Sequence, residues 1–318
     1  MIEVNNLVKS YGAHRAVDGI SFEAKEGEIL GFLGPNGAGK STTMNIITGY
    51  LSATDGQVKV GGYDVLEDPD NAKRCIGYLP ELPPLYMDMT VKEYLNFMYD
   101  LKKCKLPRVK HLAEICKLVK IDHVYGRLIK NLSKGYRQRV GFAQALIGDP
   151  KVLILDEPTV GLDPTQIMEM RTLIKRLGKH HTVILSSHIL SEIESVCDRI
   201  IIISNGKIVA DSTAAALAEE YSADHRLFVT VDGPVKDVTA LIAGIDGVET
   251  VETVADRGEN IREYALTVTR GTDVRYALFE RLADRHWTML GCMTKQMSLE
   301  QIFMMLTQSP EKKGGKRQ

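Results

Sequence analysis

Short apolar runs alternate with helix-like stretches along the first part of the chain. Residues 29–33 (Ile-Leu-Gly-Phe-Leu), 152–155, 182–185 and 200–203 are almost wholly apolar and have the length of buried strands. Helix-like stretches lie between them. A parallel sheet with helices on both faces produces this alternation, because its strands are buried on both sides. The pattern therefore predicts an α/β domain over residues 1–215, built around a largely parallel sheet.

The strand pattern stops near residue 80, and a helical pattern replaces it. Between residues 90 and 148 almost every segment fits a helix, beginning with apolar residues at Val91, Tyr94, Leu95 and Met98. Strands return at residue 152, so the helices interrupt the α/β domain. We predict a helical subdomain over about residues 82–150.

A different order of elements follows residue 215. An alanine-rich helix leads out of the first domain, and residues 216–224 are predicted as a linker. The next segments fit, in turn, strand 226–231, helix 235–243, strands 248–254 and 262–269, helix 273–284 and strand 287–292. Because β-α-β-β-α-β is the ferredoxin-like order, we predict an α+β domain over residues 225–295, followed by a helix and a basic tail in residues 296–318.

The second domain carries no recognisable chemical motif. A module that stabilises a dimer or docks a partner fits it. A regulatory domain for a small ligand also fits, on the analogy of fold alone.

Composition and charge narrow the classes of function. The 318 residues include 40 basic and 41 acidic side chains, so no overall field attracts nucleic acid, and we expect no nucleic-acid partner. No apolar run reaches membrane-spanning length and the N-terminus lacks a signal-peptide pattern, which predicts a cytosolic protein. The five cysteines are scattered without a C-x-x-C pair and are expected to be reduced and structural.

A glycine-rich loop follows the first buried strand and precedes a helix. It fits the pattern G-x-x-x-x-G-K-[ST] with the residues Gly34, Pro35, Asn36, Gly37, Ala38, Gly39, Lys40, Ser41 and Thr42. Its glycines let the backbone bend so that N–H groups and the positive end of the helix dipole face phosphate oxygens. Lys40 would reach the β- and γ-phosphates, and Ser41 would ligate Mg²⁺. We predict a phosphate-binding loop.

Two carboxylates end the apolar strand 152–155. Asp156 would hold Mg²⁺, directly or through water. Glu157 is placed to accept a proton from, or to orient, the water that attacks the γ-phosphate. Together with the loop, this acidic strand end predicts a nucleotide hydrolase.

The segment from Leu132 to Arg139 specifies the kind of hydrolase. Its sequence, Leu-Ser-Lys-Gly-Tyr-Arg-Gln-Arg, resembles the signature motif of ATP-binding cassette (ABC) ATPases, commonly Leu-Ser-Gly-Gly-Gln. Ser133 suits a helix N-cap, where free N–H groups can hold a phosphate. The resemblance covers about residues 1–215 and implies a P-loop NTPase fold that binds ATP and Mg²⁺.

Other landmarks of that family follow in the expected order. Tyr11 resembles the aromatic residue that stacks on adenine. The segment Gly161-Leu162-Asp163 resembles the D-loop, and His188 resembles the switch histidine that contacts the γ-phosphate. The resemblance therefore implies nucleotide-binding roles for Tyr11, Asp163 and His188.

Three positions depart from the family pattern. Lys134 and Tyr136 replace a glycine and the glutamine of the signature, while Ser133 and Gly135 keep the hydroxyl and the close backbone approach that phosphate contact needs. Glu81 stands where most members have a glutamine that reaches Mg²⁺ and the attacking water. A carboxylate can still ligate a hard cation, so we predict that Glu81 binds the metal and couples the site to transport.

The resemblance also implies partners. In the family, the signature of one subunit completes the site of another, so one P-loop and one signature predict an ATP-dependent head-to-tail dimer, expected to be a homodimer. A separate membrane permease would dock near the helical subdomain, with Leu85, Tyr86 and Met87 as a candidate patch, and would hold the protein at the inner face of the membrane.

The sequence around residues 77–81, the lysine-containing signature and the segment 298–303 resemble ATPases of ABC-2-type exporters, which implies export. A soluble ABC-type ATPase that acts on ribosomes or nucleic acid is the alternative. Such proteins usually carry two cassettes or a long coiled coil, and this chain has neither.

Overall fold

The computed structural model describes residues 1–221, 226–258, 260–269, 271–294 and 298–307. The backbone divides into two compact units, one of Met1–Ala214 together with residues 305–307 and the other of Ala215–Met304. The basic residues predicted as a tail, the end of the predicted linker, 222–224, and residue 225 lie outside the described residues. None of the helices in the described ranges is both long enough and apolar enough to cross a bilayer.

The first unit combines strands and helices in alternation. Its strands are β1 (Ile2–Tyr11), β2 (His14–Ala24), β3 (Ile29–Leu33), β4 (Asp55–Val60), β5 (Tyr63–Asp64), β6 (Ile76–Leu79), β7 (Val152–Asp156), β8 (Thr182–Ser187), β9 (Arg199–Ser204) and β10 (Lys207–Ser212). Its helices are α1 (Lys40–Ile47), α2 (Pro69–Arg74), α3 (Val91–Leu101), α4 (Arg108–Leu118), α5 (Lys134–Leu146), α6 (Pro164–Leu177) and α7 (Leu190–Val196).

A six-stranded sheet forms the centre of this unit, in the order β10-β9-β3-β8-β7-β6. All neighbours pair in parallel except β9 and β10. Every residue of β3, β7 and β8 is buried. The predicted parallel sheet is therefore confirmed, and the carboxyl ends of β3, β8 and β7 lie side by side at one edge, where such sheets bind ligands.

A second, antiparallel sheet has the order β2-β1-β4-β5. It packs against the parallel sheet, and the rings of Phe22 on β2 and Phe32 on β3 lie 5.5 Å apart between centroids. Met44 and Ile47 of α1 are buried in the same core. The antiparallel sheet thereby supports the loop between β3 and α1 from one side.

Helices α3, α4 and α5 make up the region predicted as a helical subdomain. Thr90 and Glu93 form a reciprocal capping box at the start of α3, in which Glu93 N donates to Thr90 Oγ1 at 3.2 Å and Thr90 N donates to Glu93 Oε2 at 2.8 Å. Residues 119–133 are less helical than predicted, because only two short 3₁₀ turns occupy this range.

Lys102, just after α3, joins α3 to the end of α5. Its ammonium donates hydrogen bonds to the carbonyl oxygens of Gln144, Ala145 and Ile147 at 2.9, 3.3 and 3.1 Å. Carbonyls at the end of a helix lack the usual intrahelical donors, and although Ile147 N also donates to the carbonyl of Gln144, the ammonium supplies a further donor to all three. Burial lowers the pKa of Lys102 to about 8. The contact ties the helical subdomain to the chain entering β7.

The second unit has its own sheet and core. Its elements are α8 (Ala214–Tyr221), β11 (Arg226–Asp232), α9 (Val235–Ala243), β12 (Val248–Asp256), β13 (Ile261–Val268), α10 (Arg275–Asp284), β14 (Thr288–Thr294) and α11 (Leu299–Thr307). The strands pair antiparallel in the order β12-β13-β11-β14. Val229, Tyr264 and Leu278 are fully buried in the core. From β11 to β14 the elements follow the order of ferredoxin-like folds.

Candidate active site

Residues 34–39 form the loop between β3 and α1. Gly37 and Gly39 adopt left-handed conformations, with φ of 79° and 108°. A Cβ added to Gly39 would lie 2.5 Å from the carbonyl oxygen of Ala16. Glycine alone satisfies both the backbone angle and this close approach. The loop therefore ends at the N-terminus of α1, where free N–H groups and the helix dipole favour an anion.

We expect a Gly39→Ala variant to bind nucleotide about 5- to 150-fold more weakly, since backbone strain of about 1–3 kcal/mol would displace the loop. Titration with a fluorescent ATP analogue measures this change. Gly27→Ala is the matched control, because Gly27 has a φ of 74° but no atom within 4 Å of an added Cβ. Equal affinities of the two variants would contradict the steric argument.

Lys40 begins α1 and is 6% exposed. Its ammonium donates hydrogen bonds to the carbonyl oxygens of Gly34 at 2.7 Å and Pro35 at 3.3 Å. Burial lowers the pKa of Lys40, and the nearby carboxylates of Glu157, Asp156 and Glu81 oppose this shift. The ammonium is thus partly desolvated and placed where a negative ligand would stabilise it further.

Glu157 and His188 form a pair at the ends of β7 and β8. Nδ1 of His188 lies 2.9 Å from both carboxylate oxygens of Glu157. Glu157 has a φ of 49°, an uncommon conformation for a residue with a side chain and one that recurs at functional sites. Burial raises the pKa of Glu157, while the hydrogen bond from His188 lowers it. The net effect is a raised pKa, because burial outweighs the hydrogen bond from His188.

Asp156, the last residue of β7, has a buried carboxylate oxygen, Oδ1, that finds no hydrogen-bond partner among the residues the structure describes. An unpartnered buried oxygen is costly unless a ligand satisfies it, and carboxylate oxygens are ligands that hard cations prefer. Ser41 lies exposed on the first turn of α1. A carboxylate oxygen and a serine hydroxyl are both suitable ligands for Mg²⁺ bound beside a phosphate.

A cleft of about 330 Å³ brings many of the predicted residues together. It is lined by Tyr11, Asn36, Gly37, Gly39, Lys40, Ser41, Thr42, Glu81 and Glu157, together with His14 and Ala16. The ring of Tyr11 is half exposed, and the ammonium of Lys9 lies 5.3 Å from its centroid. The cleft thus joins an aromatic face, a phosphate loop and acidic groups.

Sequence reasoning missed His14 and Ala16. Both lie at the start of β2, which turns back after Tyr11, and Tyr11 pairs with His14 across this turn. Recognising the hairpin between β1 and β2 would have placed His14 beside Tyr11.

The signature residues lie on other elements. Ser133 Oγ accepts a hydrogen bond from Tyr136 N at 3.5 Å and caps α5, while Asp163 accepts one from Gln166 N at 2.9 Å and caps α6. A Cβ on Gly135 would lie 2.4 Å from Gln166 Oε1, so a larger residue there would displace the amide end of the Gln166 side chain. Within the described residues, Ser133, Gly135 and Asp163 do not line the cleft around Lys40.

The sequence comparisons agree on one family. Residues 17–160 match the ABC transporter family. The linearmycin resistance ATP-binding protein LnrL of Bacillus subtilis is 34% identical over 311 residues, which cover 96% of this chain and 98% of that protein. The chain belongs to the ABC transporter family. The bacitracin transport ATP-binding protein BcrA of Bacillus licheniformis is 39% identical to this ABC protein over 213 residues, 66% of this chain and 69% of the relative.

Solved structures agree with the family and confirm the P-loop NTPase fold. The dimeric structure of MJ0796, a bacterial ABC transporter cassette, is 27% identical with a TM-score of 0.62, and covers 67% of this chain and 98% of that one. The same cassette in a post-hydrolysis state bound to ADP and Pi has a TM-score of 0.62 at 26% identity, over the same shares of the two chains. This chain is therefore an ATP-binding and ATP-hydrolysing subunit of an ABC transporter.

Proposed function

We propose that the ABC protein binds ATP with Mg²⁺ in the cleft around Lys40 and uses its hydrolysis to drive export through a separate membrane permease. One observation carries the proposal. The phosphate loop, the Glu157–His188 pair and the unpartnered oxygen of Asp156 meet at one edge of the parallel sheet. That edge therefore offers phosphate binding, a metal ligand and a water-activating carboxylate together.

The phosphate groups would be held by the loop from Gly34 to Thr42 and by the ammonium of Lys40. Ser41, Asp156 and Glu81 would hold Mg²⁺, which would neutralise charge on the β- and γ-phosphate oxygens. The face of Tyr11 would stack on adenine, and its half-exposed ring is open to such a contact.

Glu157 would orient or deprotonate the attacking water. His188 would contact the γ-phosphate, and its bond to Glu157 at 2.9 Å fixes the direction of both side chains. Because burial raises the pKa of Glu157, this carboxylate is a better proton acceptor than an exposed glutamate.

A second subunit would complete each site. Ser133, Gly135 and Asp163 cap or begin helices outside the cleft of their own chain, which fits a role at the cleft of a partner. The likeness to a dimeric cassette supports this arrangement. We propose a homodimer in which two ATP molecules lie between the subunits.

Dimerisation tests this function directly. A Glu157→Gln variant is expected to sediment as a dimer with ATP and Mg²⁺ and as a monomer with ADP, since retained γ-phosphates would join the two subunits. Adding Ser133→Arg should keep it monomeric. The control Val109→Arg, at an 85% exposed position on α4, should leave the dimer intact. A Glu157→Gln protein that stays monomeric at saturating ATP would refute the proposal.

A permease would dock against a cleft of about 580 Å³ between the end of α1 and the helical region. Tyr50 and Leu82 line it and are 83% and 75% exposed, so they supply an apolar contact. Leu85, predicted as part of the docking patch, is buried, because it belongs to the local core. Tyr86 and Met87 remain exposed and extend the patch. Docking would hold the cytoplasmic protein at the inner face of the membrane.

The ABC-2-type exporter group is the subgroup we propose. Likeness to a bacitracin transport protein and a linearmycin resistance protein supports export. The substrate would be selected by the permease. For the nucleotide-binding domain we propose residues 1–215, and for the accessory domain, which would stabilise the dimer or dock a partner, residues 225–295.

A further inference from the structure

Helix α7 carries a buried carboxylate that lies outside the cleft. Glu192 is 3% exposed, and a single oxygen, Oε2, accepts two hydrogen bonds. Thr159 Oγ1 donates at 2.6 Å and Ser187 Oγ at 3.1 Å. Both hydroxyl residues are themselves buried. Glutamate is almost never buried to this extent without partners, so the arrangement calls for a specific role.

The two hydroxyls belong to residues next to the proposed catalytic pair, one in the loop after β7 and one at the end of β8. Thr159 stands two residues after Glu157, and Ser187 directly precedes His188. Ser187 Oγ also accepts a hydrogen bond from Ile189 N at 3.0 Å, which fixes the backbone on the far side of His188. One oxygen of Glu192 therefore connects the loop after β7 with the end of β8, directly before His188.

The pairing of β7 with β8 stops at the proposed catalytic pair, although Ser187 still pairs with Leu33 of β3. The last backbone link between the β7 and β8 segments is the hydrogen bond from Glu157 N to Ser186 O at 3.0 Å. Beyond that point, the distance of 2.9 Å between His188 Nδ1 and the carboxylate of Glu157 depends on side chains and loop conformation. The bridge through Glu192 continues the connection where the strand pairing stops.

We propose that Glu192 is a positioning residue that holds the loop after β7 and the end of β8 in the register at which the imidazole of His188 meets the carboxylate of Glu157. The proposal rests on the proposed roles of Glu157 and His188. Glu192 acts through Thr159 and Ser187 and not on the nucleotide. Such pre-organisation matters because a displacement of about 1 Å in an active site can cost about 100-fold in rate.

A Glu192→Gln variant tests the bridge with little change in shape, because its neutral amide oxygen accepts the hydrogen bonds of Thr159 and Ser187 more weakly than the carboxylate does. We expect kcat for ATP hydrolysis to fall about 10- to 100-fold, while KM and the affinity for an ATP analogue change less than about twofold. Glu194→Gln is the matched control, because Glu194 is exposed on the same helix. An unchanged kcat in Glu192→Gln would overturn the proposal.

A double-mutant cycle separates positioning from general destabilisation. In a His188→Ala background, Glu192→Gln should lower the remaining kcat by less than about twofold, because the imidazole that Glu192 positions is already absent. If Glu192→Gln lowers kcat by the same factor in the wild type and in His188→Ala, Glu192 has a merely structural role and the proposal is overturned.

Thr159→Val is the second variant, and it removes one donor without leaving a polar group unpaired. The imidazole resonances of His188, measured by NMR without nucleotide, should shift in Thr159→Val and Glu192→Gln and stay in place in Glu194→Gln. Resonances that do not move would overturn the proposal. Wild-type hydrolysis by Glu157→Gln would instead show that the proposed function of Glu157 is wrong, so the two failures are distinguishable.

Discussion

A Glu157→Gln variant is expected to hydrolyse ATP about 100- to 10,000-fold more slowly than the wild type while binding it with similar affinity. The amide keeps the size of the side chain but cannot accept a proton from water, and general-base catalysis contributes about this factor. The Glu157→Gln variant also lacks the charged partner of His188, whose Nδ1 lies 2.9 Å from the carboxylate in the wild type. Phosphate release at saturating ATP measures kcat, and titration with an ATP analogue measures affinity.

Glu194→Gln serves as the control for this substitution as well, since it removes an exposed carboxylate from α7. It should hydrolyse ATP at the wild-type rate. Retention of more than about a tenth of wild-type kcat by Glu157→Gln would mean that another group accepts the proton.

The dependence of the rate on pH follows from the same carboxylate. Burial raises the pKa of Glu157 above its ordinary value of 4.5. The reaction needs the ionised form, so kcat should fall as the pH decreases through this raised pKa. In Glu157→Gln the residual rate should lack this acidic limb, which a pH series of phosphate release would show.

The strands that carry this site could be predicted because both of their faces are buried. In β3, β7 and β8 no position faces water, so each strand contains a run of apolar residues, and the functional residues follow within three positions of that run. Gly34, Glu157 and His188 could therefore be placed at strand ends without knowledge of the pairing.

The antiparallel sheet was harder to predict, since its pairing is irregular. The register between β1 and β2 shifts after Val4, after Leu7 and after Lys9. Each shift breaks the alternation of apolar and polar positions from which a half-buried strand is recognised. The hairpin went unrecognised for this reason, and with it the position of His14 in the cleft.

The sequence pattern also could not predict contacts between segments that are distant along the chain. The bond from Thr159 to Glu192 joins residues 33 positions apart, and Lys102 reaches carbonyls more than 40 positions away. Neither position carries a local signal, because a glutamate in a short helix and a lysine after a helix usually face solvent. Only the packing of α7 and α5 brings these side chains to their partners.

A Lys40→Ala variant should lose measurable ATP hydrolysis and bind ATP about 10- to 150-fold more weakly, which corresponds to the loss of charged hydrogen bonds worth about 1.5–3 kcal/mol. Burial already lowers the pKa of Lys40, and nearby acidic groups compensate only in part, so a phosphate anion would complete the compensation.

Lys40→Met distinguishes charge from packing, because it keeps the apolar stem of the buried side chain. It should lose hydrolysis as fully as Lys40→Ala, whereas Lys25→Ala, at an exposed lysine before β3, should keep both rate and affinity. In Lys40→Met the saved desolvation of an ammonium offsets the lost hydrogen bonds to Gly34 and Pro35, so this variant should unfold close to the wild-type temperature. Lost activity together with unchanged or higher thermal stability would mean that Lys40 acts on the bound nucleotide and not on the stability of the free protein. Sustained ATP turnover in Lys40→Met would show that the phosphates do not require the charge of Lys40.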